Sequence, residues 1–481
     1  ENLVFAKRGE GEWRAVVEFR KEIPYVLPTD PLEYPDSYSV EIERGGTGTD
    51  GYFPLGVLGE PAGRGFNTYV GGNYYVGLGS APGVYGVSCW AAIRAKYRKG
   101  AMRAENQDGK KTDACLFDPA TRKIIFDTAR NCVTNSIARN DAQIFKWEID
   151  NEYLPGFDYS PTAVKCFREW LPKWYKDDVE KFNRAWRTNG LAFADAVPPR
   201  TEEYAAKPGA WMDWTRFQQE TFADFLADYY KAFQDVDPKK RSINGKDTQS
   251  SLEMPRIARY KRGNHELIGQ KVRPYAGGVR GMDHYGHGDR NTYEMSCYYN
   301  TIAPDSPEYG KRIGMLYGEN NNHNGPGWQF AQTVWRVIPN GLRGGQFFCN
   351  GWFGCWGDWS SFSFINPDGT LRDRIWYLPR YYGMIHRTER FLTTQAPTPE
   401  VPRLAILFAQ RDLPFAVDDN ISPWGFGINS RLRLYSHLRD AGYYVQIIGY
   451  EKLNAEYMKS IDGLFLCGAE HLADEDIENI R

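Results

Sequence analysis

Two glutamates have surroundings suited to chemistry. Glu152 ends the run FKWEIDNEY over 145–153, with Asn151 before it, and Glu319 follows the apolar stretch Gly314–Tyr317 and precedes Asn320, Asn321, Asn322 and His323. A buried strand that ends in such groups presents them at its carboxyl end, where barrel enzymes carry their reactive residues. A pair of carboxylates at one mouth is what cleavage of a glycosidic bond requires: one acid protonates the leaving oxygen, and one carboxylate meets the oxocarbenium-like carbon. The two lie 167 residues apart, which is room for about four strand–helix units of ~30 residues with some loop insertion. They would face each other across the barrel mouth if they sit on the fourth strand and on the seventh or eighth. Asn151 is placed to donate to a sugar 2-hydroxyl, a bond that strengthens as charge develops. The competing account, an exposed loop acid, fits most of the 61 acidic residues, but it does not explain why both of these close apolar runs.

The elements that must position these groups follow from periodicity. Trp13–Phe19 is rich in β-formers, and Ser37–Glu43 alternates Tyr38, Val40 and Ile42 with polar residues, the period of a half-buried strand. We read a small β-strand segment over 1–50, closed by the glycines of 45–51. Beyond it, short apolar runs bounded by glycine (Phe53–Leu58, Phe66–Val70) alternate with helical stretches such as Trp90–Tyr97, which predicts βα units and a parallel sheet over 51–395. The glycine-rich stretch 71–86 leaves the second and third strands unassigned. Pro161–Trp186 has helical spacing broken at Pro172, and so reads as one helix ending near the proline or as two in sequence. Trp211–Phe233 sets Phe222, Phe225, Leu226, Tyr229 and Phe233 on one helical face. Further strands are expected at Arg241–Asn244, Gly314–Tyr317 and Gly345–Asn350, with a helix over Phe330–Ile338. After prolines at 397–402, Leu404–Ala409, Ser430–Asp440, Tyr444–Ile448 and Gly463–Cys467 read as strand, helix, strand, strand. This is a doubly wound α/β unit over 400–481, only partly present because Arg481 falls inside its next helix.

Composition narrows the classes of partner. With 59 basic against 61 acidic residues, no long run of one sign and no apolar stretch approaching a membrane span, neither nucleic acid nor a membrane is expected as a partner. The first residue is Glu1 rather than Met, so a removed signal peptide stays open, and with it the choice between a cytoplasmic and an exported protein. The eight cysteines include no CxxC pair, which predicts buried free thiols and no metal or cofactor. Aromatic residues make up 15% of the chain, with 15 Trp and 31 Tyr. Their flat faces and polar edges suit sugar rings, although the core is the alternative for each of them.

IDNEY at 149–153, the helix FREWL at 167–171 and FNRAW at 182–186 closely resemble glycoside hydrolase family 42, the β-galactosidase type, over roughly 109–481. The resemblance implies a retaining enzyme on a (β/α)8 TIM barrel, with Glu152 as acid/base and Glu319 as nucleophile. It also implies that the barrel is followed by a flavodoxin-like domain that builds a homo-oligomer, a trimer. Family members often bind zinc through cysteines after the acid/base, whereas LPGFDYSPT at 154–162 has none. Basic residues before Cys115 contact the sugar in the family, and Lys110 and Lys111 stand there. Where the family holds galactose with Arg, Glu and His, this chain has NGWFGCWGDWSSFSF at 350–364, so galactose specificity does not carry over. Trp328 is a candidate sugar platform, Trp352, Trp356 and Trp359 are candidates for further subsites, and Tyr285 in GMDHY is placed to hydrogen-bond the nucleophile.

The expected function is therefore a retaining β-glycosidase acting on an oligosaccharide or polysaccharide. Its rivals are a glycosidase of the same clan with another substrate, agarase-like or mannosidase-like, and a non-catalytic carbohydrate-binding barrel.

Overall fold

A computed structural model of the chain describes residues 2–7, 13–18, 55–58, 68–72, 84–141, 144–150, 153–245, 261–275, 279–284, 315–320, 338, 342–347, 385, 403–415 and 429–481. For the strands before Cys89 and for those over 279–347 it describes the backbone alone. Two compact units are present, Glu1–Ser37 and Tyr38–Arg481. In the first, β1 (Asn2–Lys7) and β2 (Trp13–Glu18) pair antiparallel, with Asn2 opposite Glu18. The strand expected over Ser37–Glu43 lies outside the described residues.

The second unit opens with β3 (Leu55–Leu58), β4 (Thr68–Gly72) and β5 (Val84–Cys89). β4 takes up the end of the run Phe66–Val70 and continues into the glycine-rich stretch, and β5 is the strand that could not be read there. Gly71, Gly72 and Gly86 lie inside them, and glycine within a strand erases both the propensity and the alternation on which such a reading rests. Then come α1 (Ala91–Ala95), a hairpin of β6 (Arg103–Glu105) and β7 (Lys111–Ala114), α2 (Pro119–Asn140) and β8 (Ile144–Ile149). Helices α3 (Pro161–Tyr175), α4 (Val179–Trp186) and α5 (Pro208–Val236) lead to β9 (Ser242–Gly245) and α6 (His265–Val272). Strands β10 (Val279–His284), β11 (Met315–Asn320) and β12 (Leu342–Phe347) follow. Strands β3, β4, β5, β8, β9, β10, β11 and β12 form one eight-stranded sheet whose pairs are parallel and whose neighbours follow chain order, with β12 returning to β3. β9 lies against β10, so the sheet closes into the expected TIM barrel. Of the helix expected over Phe330–Ile338, only Ile338 is among the described residues.

Pro172 does not end its helix. α3 runs through it to Tyr175 and stops at Lys176 with φ 54°, and α4 starts after the Asp178 cap, so two helices occupy 161–186. Both α2 and α3 begin on a side-chain cap followed by proline, Asp118–Pro119 and Ser160–Pro161, where the missing proline N–H costs nothing.

The 29 residues of α5 connect two apolar clusters. Its second half packs Phe222, Phe225, Tyr229 and Phe233 against α2, β8 and β9; its first half packs Trp211, Trp214 and Phe217 against α3 and α4. Trp147, Trp211 and Trp214 are fully buried, so these rings serve the core and not a sugar. The start of β8 is clamped by polar groups. Trp147 Nε1 donates to Asp237 Oδ2 at 2.8 Å, Arg241 Nη1 to Asp237 Oδ1 at 2.7 Å and Arg241 Nε to the Ile144 carbonyl at 2.9 Å.

The C-terminal elements are β13 (Arg403–Leu407), α7 (Asn429–Asp440), β14 (Tyr444–Ile448), α8 (Ala455–Met458), β15 (Gly463–Phe465) and α9 (Asp474–Ile480). The three strands are parallel in the order β14–β13–β15. They dock on α6: buried Glu266 accepts from the Glu451 N–H at 2.6 Å, and Arg273 pairs with Glu451 at 3.2 Å. Among the described residues no helix is long and apolar enough to cross a membrane.

Two outcomes follow from the packing. A Cβ on Gly209 would stand 2.0 Å from the backbone oxygen of Ala185, so Gly209→Ala is expected to destabilise the fold by about 1–3 kcal/mol or more, read as a lower denaturant midpoint at unchanged slope. The Asp213 carboxyl accepts from Tyr175 Oη and Trp186 Nε1, both at 2.7 Å. Burial outweighs these bonds and pushes it from the ordinary 3.8 up to about 6. Its contribution to stability is therefore fully present below the ordinary carboxylate value and is lost as pH rises through about 6. Asp213→Asn is expected to flatten that part of the stability–pH curve in denaturant titrations.

Candidate active site

β8, three residues before Glu152 in the chain, is the fourth strand of the barrel, and β11 is the seventh. Glu319 is the penultimate residue of β11, in register with Asp283 on β10 and Gln346 on β12. Asn151 and Glu152 lie outside the described residues, between Asp150 and Tyr153. Tyr285, Trp328, Trp352, Trp356 and Trp359 also lie outside them.

What brackets Glu152 on both sides is well defined. Upstream, Asp150 has φ 45°, a left-handed conformation that Asp and Asn adopt more readily than other side chains. Its N–H donates to the Cys89 carbonyl at 2.8 Å, and its carboxylate accepts from the Ala92 and Ile93 N–H groups at 3.3 and 3.0 Å. The turn out of β8 is thereby tied to the start of α1. Downstream, Tyr153 is buried edge-on against Phe222 and Phe225 of α5, and its burial, with Asp150 next, raises the phenol well above its ordinary range.

The chain over 153–160 is then bound by three elements. Asp158 Oδ1 accepts from the N–H groups of Glu105 at 3.1 Å and Ser160 at 2.8 Å, and the Tyr159 N–H donates to the Glu105 carbonyl at 2.8 Å, which joins the segment to β6. Gln218 of α5 accepts from the Asp158 N–H at 3.2 Å and donates to the Asp158 carbonyl at 3.0 Å. Lys261 bridges Gly156, and Arg262 sits fully buried behind the segment.

Lys111 lies on β7 with its side chain half exposed and ion-paired to Glu105, so the hairpin brings it into the same stitched region as the segment after Glu152. Cys115 packs there against Ser160, Sγ to Oγ 3.8 Å, and burial followed by Asp158 pushes its thiol up to about 12. It is a neutral core thiol at physiological pH. Among the described residues no group of three His, Cys, Asp or Glu side chains is arranged to hold a metal ion.

Two residues escaped the sequence reading. Alternation along β8 sends Trp147 and Ile149 into the outer apolar layer, so Glu148 faces the barrel interior, buried and in register with Ser88 and Asn244. The same alternation, applied to KWEID, would have singled it out. Trp90, directly after β5, adds a ring that is 39% exposed at that strand's carboxyl end, with the Arg94 guanidinium 5.3 Å from its centroid. Its helical setting hid it.

Comparison with known proteins agrees with this frame. The family model described as beta-galactosidase, glycoside hydrolase family 42, matches residues 95–260. Beta-galactosidase BbgII of Bifidobacterium bifidum is 32% identical over 107 residues, 20% of this chain and 15% of that protein. Beta-galactosidase Pbg of Clostridium perfringens is 27% identical over 139 residues, 28% of this chain and 19% of that protein. The matches thus span less than a fifth of these curated relatives. Among solved structures, the beta-galactosidase of Marinomonas ef1 superposes with a TM-score of 0.64 at 14% identity, covering 89% of this chain and 74% of that one. The family 42 exo-carrageenase of Bacteroides ovatus gives 0.59 at 12% identity, covering 89% and 63%. The chain resembles glycoside hydrolase family 42 in sequence over its matched part, and it has the TIM-barrel fold of that family's solved members.

The Asp150 turn has a direct test. Asp150→Ala removes both cap acceptors and leaves a β-carbon in left-handed backbone. It is expected to cost about 1–3 kcal/mol in denaturant unfolding, and Asp150→Asn clearly less.

Proposed function

We propose that the chain carries the catalytic machinery of a retaining β-glycosidase, with Glu319 as nucleophile and Glu152 as acid/base. The observation that carries this is the position of the two glutamates in the ring: one follows the fourth strand and the other nearly ends the seventh, with two strands between them. In a parallel barrel the carboxyl ends of all strands open at one mouth, so acids on these two strands meet across it. Glu319 attacks the anomeric carbon while Glu152 protonates the departing oxygen. Water activated by Glu152 then releases the sugar with its configuration retained. For double displacement the carboxyls must stand about 5–5.5 Å apart, and Glu152 must be protonated before the first step, which the charge of Glu319 favours. Asn151 and Lys111 are assigned to sugar hydroxyls, Tyr285 to the nucleophile, and Trp328, Trp352 and Trp356 to sugar faces.

The family resemblance supports a β-galactosidase-like substrate. The tryptophan-rich stretch 350–364 and the fold shared with an exo-carrageenase favour a second reading, in which the substrate is an oligosaccharide derived from a polysaccharide. Activity against a panel of nitrophenyl glycosides and algal oligosaccharides separates the two. We further assign 400–481 to a flavodoxin-like domain that supports a homo-oligomer. The parallel order β14–β13–β15 is the support for its fold.

Glu152→Ala is expected to lower turnover by about 10²–10⁴-fold on substrates with poor leaving groups, with azide restoring turnover on activated ones. Glu319→Ala should lose no less on every substrate. Proton NMR of the first-formed product should show retained anomeric configuration. Inversion, or full activity in either variant, would exclude the mechanism, and a protein whose sugar binding survives both changes without any turnover in the wild type would be the binding barrel instead.

A further inference from the structure

Resting on the assignment of Glu152 as acid/base, we propose that Arg262 is a positioning residue for it, a buried clamp that fixes the path of the chain leaving Glu152. Arg262 is fully buried, yet the hydrogen bonds found for it go to the backbone of one short segment. Its N–H donates to the Pro155 carbonyl at 3.2 Å and its Nε to the Gly156 carbonyl at 2.8 Å, while Lys261 bridges Gly156. Its Nη2 stands 3.8 Å from Asp158 Oδ2, and among the described residues Nη1, Nη2 and that oxygen have no hydrogen-bond partner. The guanidinium lies 5.2 Å from the Phe117 ring centroid.

As a contribution to stability alone this arrangement is poor. Desolvating an arginine and an aspartate costs several kcal/mol, their separation is too long for a good bond, and an apolar pair of similar volume is often as stable or more so. What the arrangement supplies is register. Two donors spaced as Nε and the backbone N–H of one residue hold Pro155 and Gly156, three and four residues past Glu152, at one position. Asp158, 3.8 Å from Nη2, offsets part of the charge. Gly263 belongs to the same device: a Cβ there would come within 2.9 Å of Leu154 Cδ1. The hydrogen bonds of Arg262 thus hold Pro155 and Gly156, and the bare Cα of Gly263 leaves the Leu154 side chain its room, while Asp150 fixes the chain before residue 151.

A general acid displaced by about 1 Å protonates a leaving group poorly, yet matters little where the leaving group needs no proton. The test is kcat/KM of the full chain on a 2,4-dinitrophenyl and a phenyl β-glycoside of whichever sugar the wild type cleaves fastest. Arg262→Met is expected to lose roughly 10- to 100-fold on the phenyl substrate and less than about threefold on the dinitrophenyl one, with Arg262→Lys intermediate. Gly263→Ala, which shifts Leu154 and leaves the charge in place, should show the same pattern and serves if Arg262→Met does not fold. Equal losses on both substrates, or none on either, in the folded variants would overturn the inference. Glu152→Ala on the same pair separates the failures: without the leaving-group pattern there, the assignment of the acid/base falls; with it there and absent in the Arg262 and Gly263 variants, only the clamp falls.

Discussion

Seven parallel pairings link the eight strands in ring order, and the wall of the barrel is completed where β9 packs against β10. Because every strand runs the same way, closure also gathers all carboxyl ends at one mouth. The position of the fourth strand within that ring then decides where the turn at Asp150 lies. β8 is held accordingly at both ends, by Arg241, Asp237 and Trp147 at its start and by Asp150 at its finish.

The two ends are held by different physics. At the start, a charged pair and an indole are fully satisfied inside the helical layer, and the cost of burying them is offset by well-formed bonds. Beyond the finish, the segment 153–160 carries almost no regular structure and owes its shape to the backbone of β6 and to side chains reaching its own backbone from α5 and the stretch before α6. Such a segment cannot slide or fray piecemeal, since each carbonyl held from outside has a single partner at a single distance. That rigidity is what a proton-transfer residue requires of its support.

The aromatic wealth of the chain divides in an instructive way. Among the described residues the tryptophans of α5 and β8 are interior, Trp211 against Phe157, Trp214 against Phe167 and Phe217, and Trp147 against Phe233, whereas Trp90 is exposed at a strand end. Composition treats these rings alike. Only the face on which each falls separates packing from recognition, and for α5 helical spacing already points inward.

The sequence by itself determined the alternation of strands and helices, the amphipathic span of α5 and the strand that closes on Glu319, because each is a local property with a period or a signature of its own. It read β4 only as the run Phe66–Val70 and could not assign β5, because the glycines of 71–86 carry no alternation, nor could it decide whether Pro172 ended a helix, since that depends on what packs around the last turn. The surroundings of Glu152 were the tertiary structure's to decide. Asp150 meets Ala92 and Ile93 from 58 and 57 residues away, and Arg262 meets Gly156 from 106, and contacts between residues so far apart follow from barrel closure rather than from any local pattern.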